Sequence, residues 1–241
     1  MSINRLLAFS SSRVGSGGFL ETAAPLIKTF LGKGFTEIAF IPFASVTKED
    51  EAYAAMVSDA LASLPCKILL VQPGKAKELI AHSGAIMVGG GNTFKLLHDI
   101  YEYKLLDIIR DRVNAGIPYI GWSAGSNITG PTIGTTNDMP VIQPKSFNAL
   151  GLLPFQINPH YYNMPVKGHN GETRDQRLTE FLAINPGVPV IGLPEGSVLH
   201  LENDQLTFIG ICPGVLFTTD AKSGFLLRQE IAVGEDISFL L

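Results

Sequence analysis

Gly121-Trp122-Ser123-Ala124-Gly125 sets a serine among small residues, directly after the β-like run Pro118-Tyr119-Ile120. G-x-S-x-G at a strand-to-helix turn is the nucleophile-elbow pattern of serine hydrolases. A sharp turn lifts the hydroxyl above the sheet, and the flanking glycines carry no side chain to cover it. The N–H of Ala124 is then free to face a developing oxyanion. The same five residues would also describe a tight βα turn whose serine merely caps a helix. What separates the two is whether the chain supplies a base and an acid.

A serine hydroxyl attacks a carbonyl only when a neighbouring base takes its proton. The histidines are His82, His98, His160, His169 and His200. His82 and His98 fall near the ends of predicted helices and His200 in a predicted hairpin strand, where histidines pack or face solvent. His169, in Gly168-His169-Asn170-Gly171, reads as a loop residue. His160 differs, because it ends the short apolar run Gln156-Ile157-Asn158-Pro159. Its ring should emerge at a strand end, with proline fixing the backbone just before it, as a general base requires.

The base needs a carboxylate to orient it. Asp138, in the polar turn Thr135-Thr136-Asn137-Asp138-Met139-Pro140, is one candidate. Glu195, in Leu193-Pro194-Glu195-Gly196, is the other, and it is expected at the same sheet edge as Ser123. Either could equally be a turn carboxylate satisfied by backbone N–H groups, and the sequence does not choose. Gly89-Gly90-Gly91-Asn92-Thr93 lacks the spacing of a dinucleotide or phosphate loop, so it reads as a turn whose bare N–H groups offer a second oxyanion donor. There is no H-E-x-x-H and no close histidine–carboxylate cluster, so neither metal nor cofactor is expected.

The elements that must position these groups alternate. Arg5–Phe9, Glu37–Ile41, Lys67–Val71, Ala85–Val88 and Pro118–Ile120 are almost continuously apolar, as strands of a parallel sheet covered on both faces should be. Between them Phe19–Leu31, Glu49–Leu64, Ala76–His82, Thr93–His98 and Leu105–Ala115 have helical spacing. Alternating βα units predict an α/β fold: a doubly wound, mostly parallel sheet with helices on both faces, in a single domain spanning residues 1–241. In such sheets the site lies beyond the carboxyl ends of the strands, where Ser123 and Gly89–Asn92 fall. Further on, Thr173–Ile184 reads as a helix, Val188–Gly192 as a strand, and Ser197–Leu201 with Leu206–Ile211 as a hairpin.

Composition narrows the partners. With 46% hydrophobic and 17% charged residues the 241-residue chain can bury a large core. A net charge of −4 and no basic stripe argue against nucleic acid. No apolar run approaches the ~18 residues that span a bilayer, and no targeting segment stands out. Cys66 and Cys212 have no C-x-x-C spacing and read as thiols of a reducing compartment, so the expectation is a cytoplasmic protein. The expected partner is a small peptide substrate, with the chain a monomer or a homodimer.

With these residues assembled, the chain resembles the α-aspartyl dipeptidases of the serine peptidase family that also contains cyanophycinase. The resemblance is carried by Ile41-Pro42-Phe43-Ala44, Val88-Gly89-Gly90-Gly91-Asn92-Thr93-Phe94, Tyr119-Ile120-Gly121-Trp122-Ser123-Ala124-Gly125 and Thr135–Pro140. It continues through Gln156–His160, Gly171-Glu172-Thr173-Arg174 and Ile191–Gly196, and is least distinct over the last ~30 residues. It implies a fold related to class I glutamine amidotransferases, with serine replacing cysteine at the elbow. It also implies hydrolysis of dipeptides with an N-terminal aspartate, without metal or cofactor. Carried over by position, Ser123 is the nucleophile, His160 the base, and the N–H groups of Gly91 and Ala124 line the oxyanion hole, while Asp138 and Glu195 both remain open as third member. A cleaved β-aspartyl bond, or a binding protein without catalysis, are the alternatives. Selecting aspartate needs a cation; Arg174, in the first turn of its helix, is favoured over Arg177, and Asn92 is read as a further substrate contact.

Overall fold

The alternation of apolar runs and amphipathic segments is realised in a computed structural model that describes residues 5–34, 36–47, 49–164, 168, 170–220 and 226–241. The predicted first-half elements form, with ends shifted by a few residues. They are β1 (Leu6–Phe9), α1 (Ala24–Leu31), β2 (Thr36–Ile41), α2 (Asp50–Ala60), β3 (Cys66–Leu70), α3 (Ala76–His82), β4 (Ala85–Val88), α4 (Thr93–Glu102), α5 (Leu106–Asn114) and β5 (Tyr119–Trp122). Helix α1 starts later than its apolar spacing suggests, because Pro25 occupies its first turn and Leu20, at φ 54°, breaks the helical path before it.

After the short helix α6 (Ala124–Asn127) come β6 (Gln156–Pro159), α7 (Arg174–Ile184), β7 (Val190–Leu193), β8 (Val198–Glu202), β9 (Gln205–Ile209), β10 (Gly214–Thr219) and β11 (Leu226–Ile231). The expected hairpin is β8–β9, closed by Asn203 and Asp204, both at positive φ as a two-residue I′ turn needs.

The main sheet runs β3-β2-β4-β5-β1-β8-β9, parallel from β3 to β1 and antiparallel beyond. Its central strands β1, β4 and β5 are buried on both faces, which explains their unbroken hydrophobicity. Alternation along β1 sends Leu6 and Ala8 into one core with α3, α4 and α5, and Leu7 and Phe9 into the other with α1 and α2.

One expectation is corrected. The strands that lead to His160 and Glu195 do not extend the main sheet; β6 and β7 pair in parallel within a second, four-stranded sheet ordered β11-β10-β7-β6. Its strands β10 and β11 come from the C-terminal stretch, and α7 covers one face through Leu178 and Leu182 against Val190, Val215 and Phe217. Glu195 therefore stands at the edge of this second sheet, and the two sheets meet at the carboxyl ends of β1, β5, β6 and β7.

Candidate active site

Ser123 follows β5 directly and has φ 53° and ψ −113°, a conformation that L-residues avoid. The turn is enforced by packing. A Cβ on Gly125 would lie 2.2 Å from the Val88 carbonyl oxygen, so only glycine lets the elbow press against β4. Ser126 tightens it, donating its hydroxyl to the Gly121 carbonyl at 3.0 Å and to the Phe9 carbonyl at 2.6 Å. The strained geometry of the G-x-S-x-G reading is thus present, and Ser123 does not cap the helix with its side chain.

The neighbouring strand β4 ends in the glycine turn. Gly91 has φ 139°, and a Cβ there would meet the Ala44 carbonyl oxygen at 2.4 Å. Tyr53 braces this turn against the elbow, donating to the Gly90 carbonyl at 3.1 Å and accepting from the Trp122 indole at 2.9 Å. Burial pushes its phenol up to about 12, so it stays a protonated donor at neutral pH. Among the described residues neither the Gly91 N–H nor the Ala124 N–H has a hydrogen-bond acceptor. Both stand beside Ser123 as free donors.

His160 follows β6 directly and also sits at positive φ, 53°. Its Nε2 lies 3.0 Å from Ser123 Oγ, and its Nδ1 lies 2.9 Å from Glu195 Oε1. Register explains the second contact: Pro159 pairs with Leu193 across β6–β7, so the residues just past each strand end face one another. With Nδ1–H donated to Glu195, Nε2 is left as the acceptor for the serine proton. The pair is open to water, the His160 side chain being 42% exposed and that of Glu195 55%.

Ser10 joins the two sheets at this point. Its hydroxyl is fully buried, donates to the Leu193 carbonyl at 2.7 Å and accepts the His160 N–H at 2.9 Å. Sequence gave no sign of it, since Ser10-Ser11-Ser12 are three like residues and only the strand end buries the first. Ser10→Ala leaves the His160 N–H unpaired, while the Leu193 carbonyl keeps the Tyr161 N–H. It is expected to cost about 1–3 kcal/mol of stability and to lower kcat while KM moves little, checked by thermal melting with steady-state kinetics.

Asp138 is placed elsewhere. Its Oδ2 accepts from the Thr93 N–H at 2.7 Å, the Thr93 hydroxyl at 2.6 Å and the Thr136 hydroxyl at 3.2 Å, at the start of α4. Oδ1 has no partner among the described residues, and Asp138 lines a recess of about 20 Å³ together with Ser123 and His160. Asn92 lines the larger cavity, but its amide serves the fold: Oδ1 caps α4 by accepting from Lys95 N, and Nδ2 donates to the Met139 carbonyl.

Arg174 is the first residue of α7, held there by a Thr173–Gln176 capping box. Tyr161 and Arg228 both grip the next residue, Asp175. Burial and the nearby charge of Arg177 lower the Arg174 pKa. Arg174 makes no ion pair among the described residues, whereas Arg177 stands 3.7 Å from Glu172. Arg174 does not line either cavity touching Ser123. His169 lies outside the described residues, as does part of the loop before α7.

The other histidines have local roles: His82 contacts the Glu78 carbonyl, His98 contacts Asp99, and His200 packs edge-on to Phe30. Among the described residues no three His, Cys, Asp or Glu are grouped to hold a metal ion, and no helix is long and apolar enough to cross a membrane. The cavity above Ser123 and His160 measures about 690 Å³ and takes in Arg13, Phe19, Val46, Glu49 and Met56, none of which was singled out from sequence. Arg13, Phe19 and Val46 lie on connections, and Glu49 and Met56 at the start of and within α2, whose spacing does not show which residues face the site.

The chain is similar to known proteins. The description "Peptidase family S51" matches residues 6–209. A peptidase E of Shewanella denitrificans is 48% identical over 242 residues, covering 100% of both chains. A peptidase E of Nostoc is 46% identical over 244 residues, covering 100% of this chain and 98% of its own. Among solved structures, a peptidase from an acI-B1 Actinobacterium superposes with a TM-score of 0.70 at 18% identity, covering 98% of this chain and 97% of that one. A Listeria monocytogenes structure gives 0.66 at 24%, covering 86% and 98%; at these identities both speak to the fold alone. The family match over most of the chain and the full-length relatives together establish that the chain belongs to peptidase family S51.

Proposed function

We propose that this S51 peptidase, a serine dipeptidase, hydrolyses dipeptides with an N-terminal aspartate through an acyl-enzyme on Ser123. The observation that supports it most is the hydrogen-bonded line Ser123–His160–Glu195, at 3.0 and 2.9 Å, beside two unpartnered N–H groups. His160 takes the serine proton as Oγ attacks the peptide carbonyl, and Glu195 holds the ring and steadies its positive charge. The oxyanion is received by the N–H groups of Gly91 and Ala124. His160 then gives its proton to the leaving amine, and water, activated by the same ring, releases aspartate.

Asp138 takes a different role here. Its carboxylate lies on the recess beside Ser123 and His160, with Oδ1 unpartnered among the described residues, which suits the substrate's α-ammonium group. Arg174, a half-buried cation with no carboxylate partner among the described residues, is assigned to the aspartate side chain. Expected for Arg174→Ala is a loss of about tenfold to a hundredfold in kcat/KM on Asp-Leu, with the preference over Ala-Leu falling equally. Full retention of that preference removes Arg174 from the assignment.

The test of the whole is aspartate release from α-Asp-Leu, with β-Asp-Leu and Ala-Leu alongside. Cleavage of the α-linked peptide alone supports the proposal. Cleavage of only the β-linked peptide keeps the serine chemistry and overturns the substrate. Cytoplasmic action is proposed with it, on the strength of the unpaired Cys66 and Cys212 thiols.

A further inference from the structure

Among the described residues Arg13 is the one arginine or lysine on the wall of the cavity that holds Ser123 and His160, and the chemistry above does not use it. The chain brings it there by a fixed route: Ser10 is pinned to His160 and Leu193, and Arg13 follows three residues on. Its guanidinium stands 5.9 Å from the centre of the Phe19 ring, which packs edge-on to Trp122 at 6.1 Å, next to the nucleophile. Arg13 is exposed and makes no ion pair among the described residues. On the same cavity Val46 is 56% exposed and Met56 39%, large apolar surface left facing the space above a nucleophile.

We propose that this lobe receives the leaving residue of the dipeptide, with Arg13 paired to its C-terminal carboxylate and Val46, Met56 and Phe19 against its side chain. The assignment rests on the serine-dipeptidase reading of Ser123. The recess carrying Asp138, about 20 Å³, has room for an ammonium group but not for a residue, so of the two cavities at Ser123 only the one of about 690 Å³ can take the leaving residue. In a dipeptide the free carboxylate belongs to the residue immediately past the scissile bond, about 3.8 Å further on from Cα to Cα. A guanidinium on the wall of that cavity can pair with a carboxylate in a forked geometry and leaves an amide or a third residue without its charge partner. The lobe thereby selects substrates of two residues with an apolar second residue. Glu49, on the same wall, opposes an acidic one.

The experiment compares kcat/KM on Asp-Leu and Asp-Leu-amide for the wild type, Arg13→Met and Arg13→Lys. The acid-to-amide ratio is expected to be about ten to a hundred in the wild type, to fall towards one in Arg13→Met and to stay intermediate in Arg13→Lys. A wild-type ratio near one, or a ratio that Arg13→Met leaves unchanged, overturns the proposal. If the protein cuts Ala-Leu but not Asp-Leu, the aspartate assignment fails on its own, and the ratio is read on Ala-Leu and its amide. Calorimetric binding of Asp-Leu and its amide to Ser123→Ala gives the same comparison without turnover. Arg13 is exposed, so neither substitution threatens folding.

Discussion

Ser123→Ala is expected to lower kcat on α-Asp-Leu by about 10⁶-fold, the loss that follows when a serine nucleophile leaves an otherwise intact site. Oγ makes a single hydrogen bond, to His160 Nε2, so its removal orphans no buried group and the fold should stand. A second variant separates chemistry from structure. The nucleophile is held at φ 53° and ψ −113°, where a side chain costs about 1–3 kcal/mol that glycine does not incur. Ser123→Gly loses activity equally but should gain roughly 1 kcal/mol after the entropic cost of glycine, raising Tm by about 2–4 °C for a chain of this length. A lowered Tm in Ser123→Gly would mean that the elbow stores no strain. Appreciable turnover by Ser123→Ala would end the acyl-enzyme mechanism.

The elbow was legible because every part of it is local: a buried strand, a serine, and glycines where Val88 presses close. The parallel strands were legible for a related reason, since burial on both faces leaves a continuous apolar run that survives any choice of partner. His160 and Glu195 could be placed at strand ends, but not in a sheet. Their sheet is completed by β10 and β11, and β11, Leu226-Leu227-Arg228-Gln229-Glu230-Ile231, is an exposed edge with no alternation to announce it. The choice between Asp138 and Glu195 was hidden for the same cause. It depends on the register Pro159↔Leu193, a pairing of residues 34 positions apart in the chain. Arg13 and Phe19 were less legible still, because loops gain their neighbours from the strands they connect and carry no period of their own.

That register leads to the second large effect. Glu195→Gln keeps a partner for His160 Nδ1 but removes the charge that steadies the imidazolium, and the expected cost is about tenfold to a hundredfold in kcat with KM little changed. A buried triad acid loses about 10⁴ on the same kind of substitution. The smaller figure follows from exposure: with Glu195 55% and His160 42% exposed, water takes over part of the work of stabilising the charged ring. Asp138→Asn should behave differently. Its Oδ2 holds the start of α4 and the residue lines the recess proposed for the ammonium group, so the variant should lose some stability and raise KM. The discriminating substrate is N-acetyl-Asp-Leu, which has no ammonium group. Wild type and Glu195→Gln should both prefer the free amine strongly, whereas Asp138→Asn should lose much of that preference. If Asp138→Asn instead lowers kcat with the amine preference intact, and Glu195→Gln turns over like wild type, then Asp138 is the group that acts on His160. The α4 contacts would in that case have to give way when substrate binds.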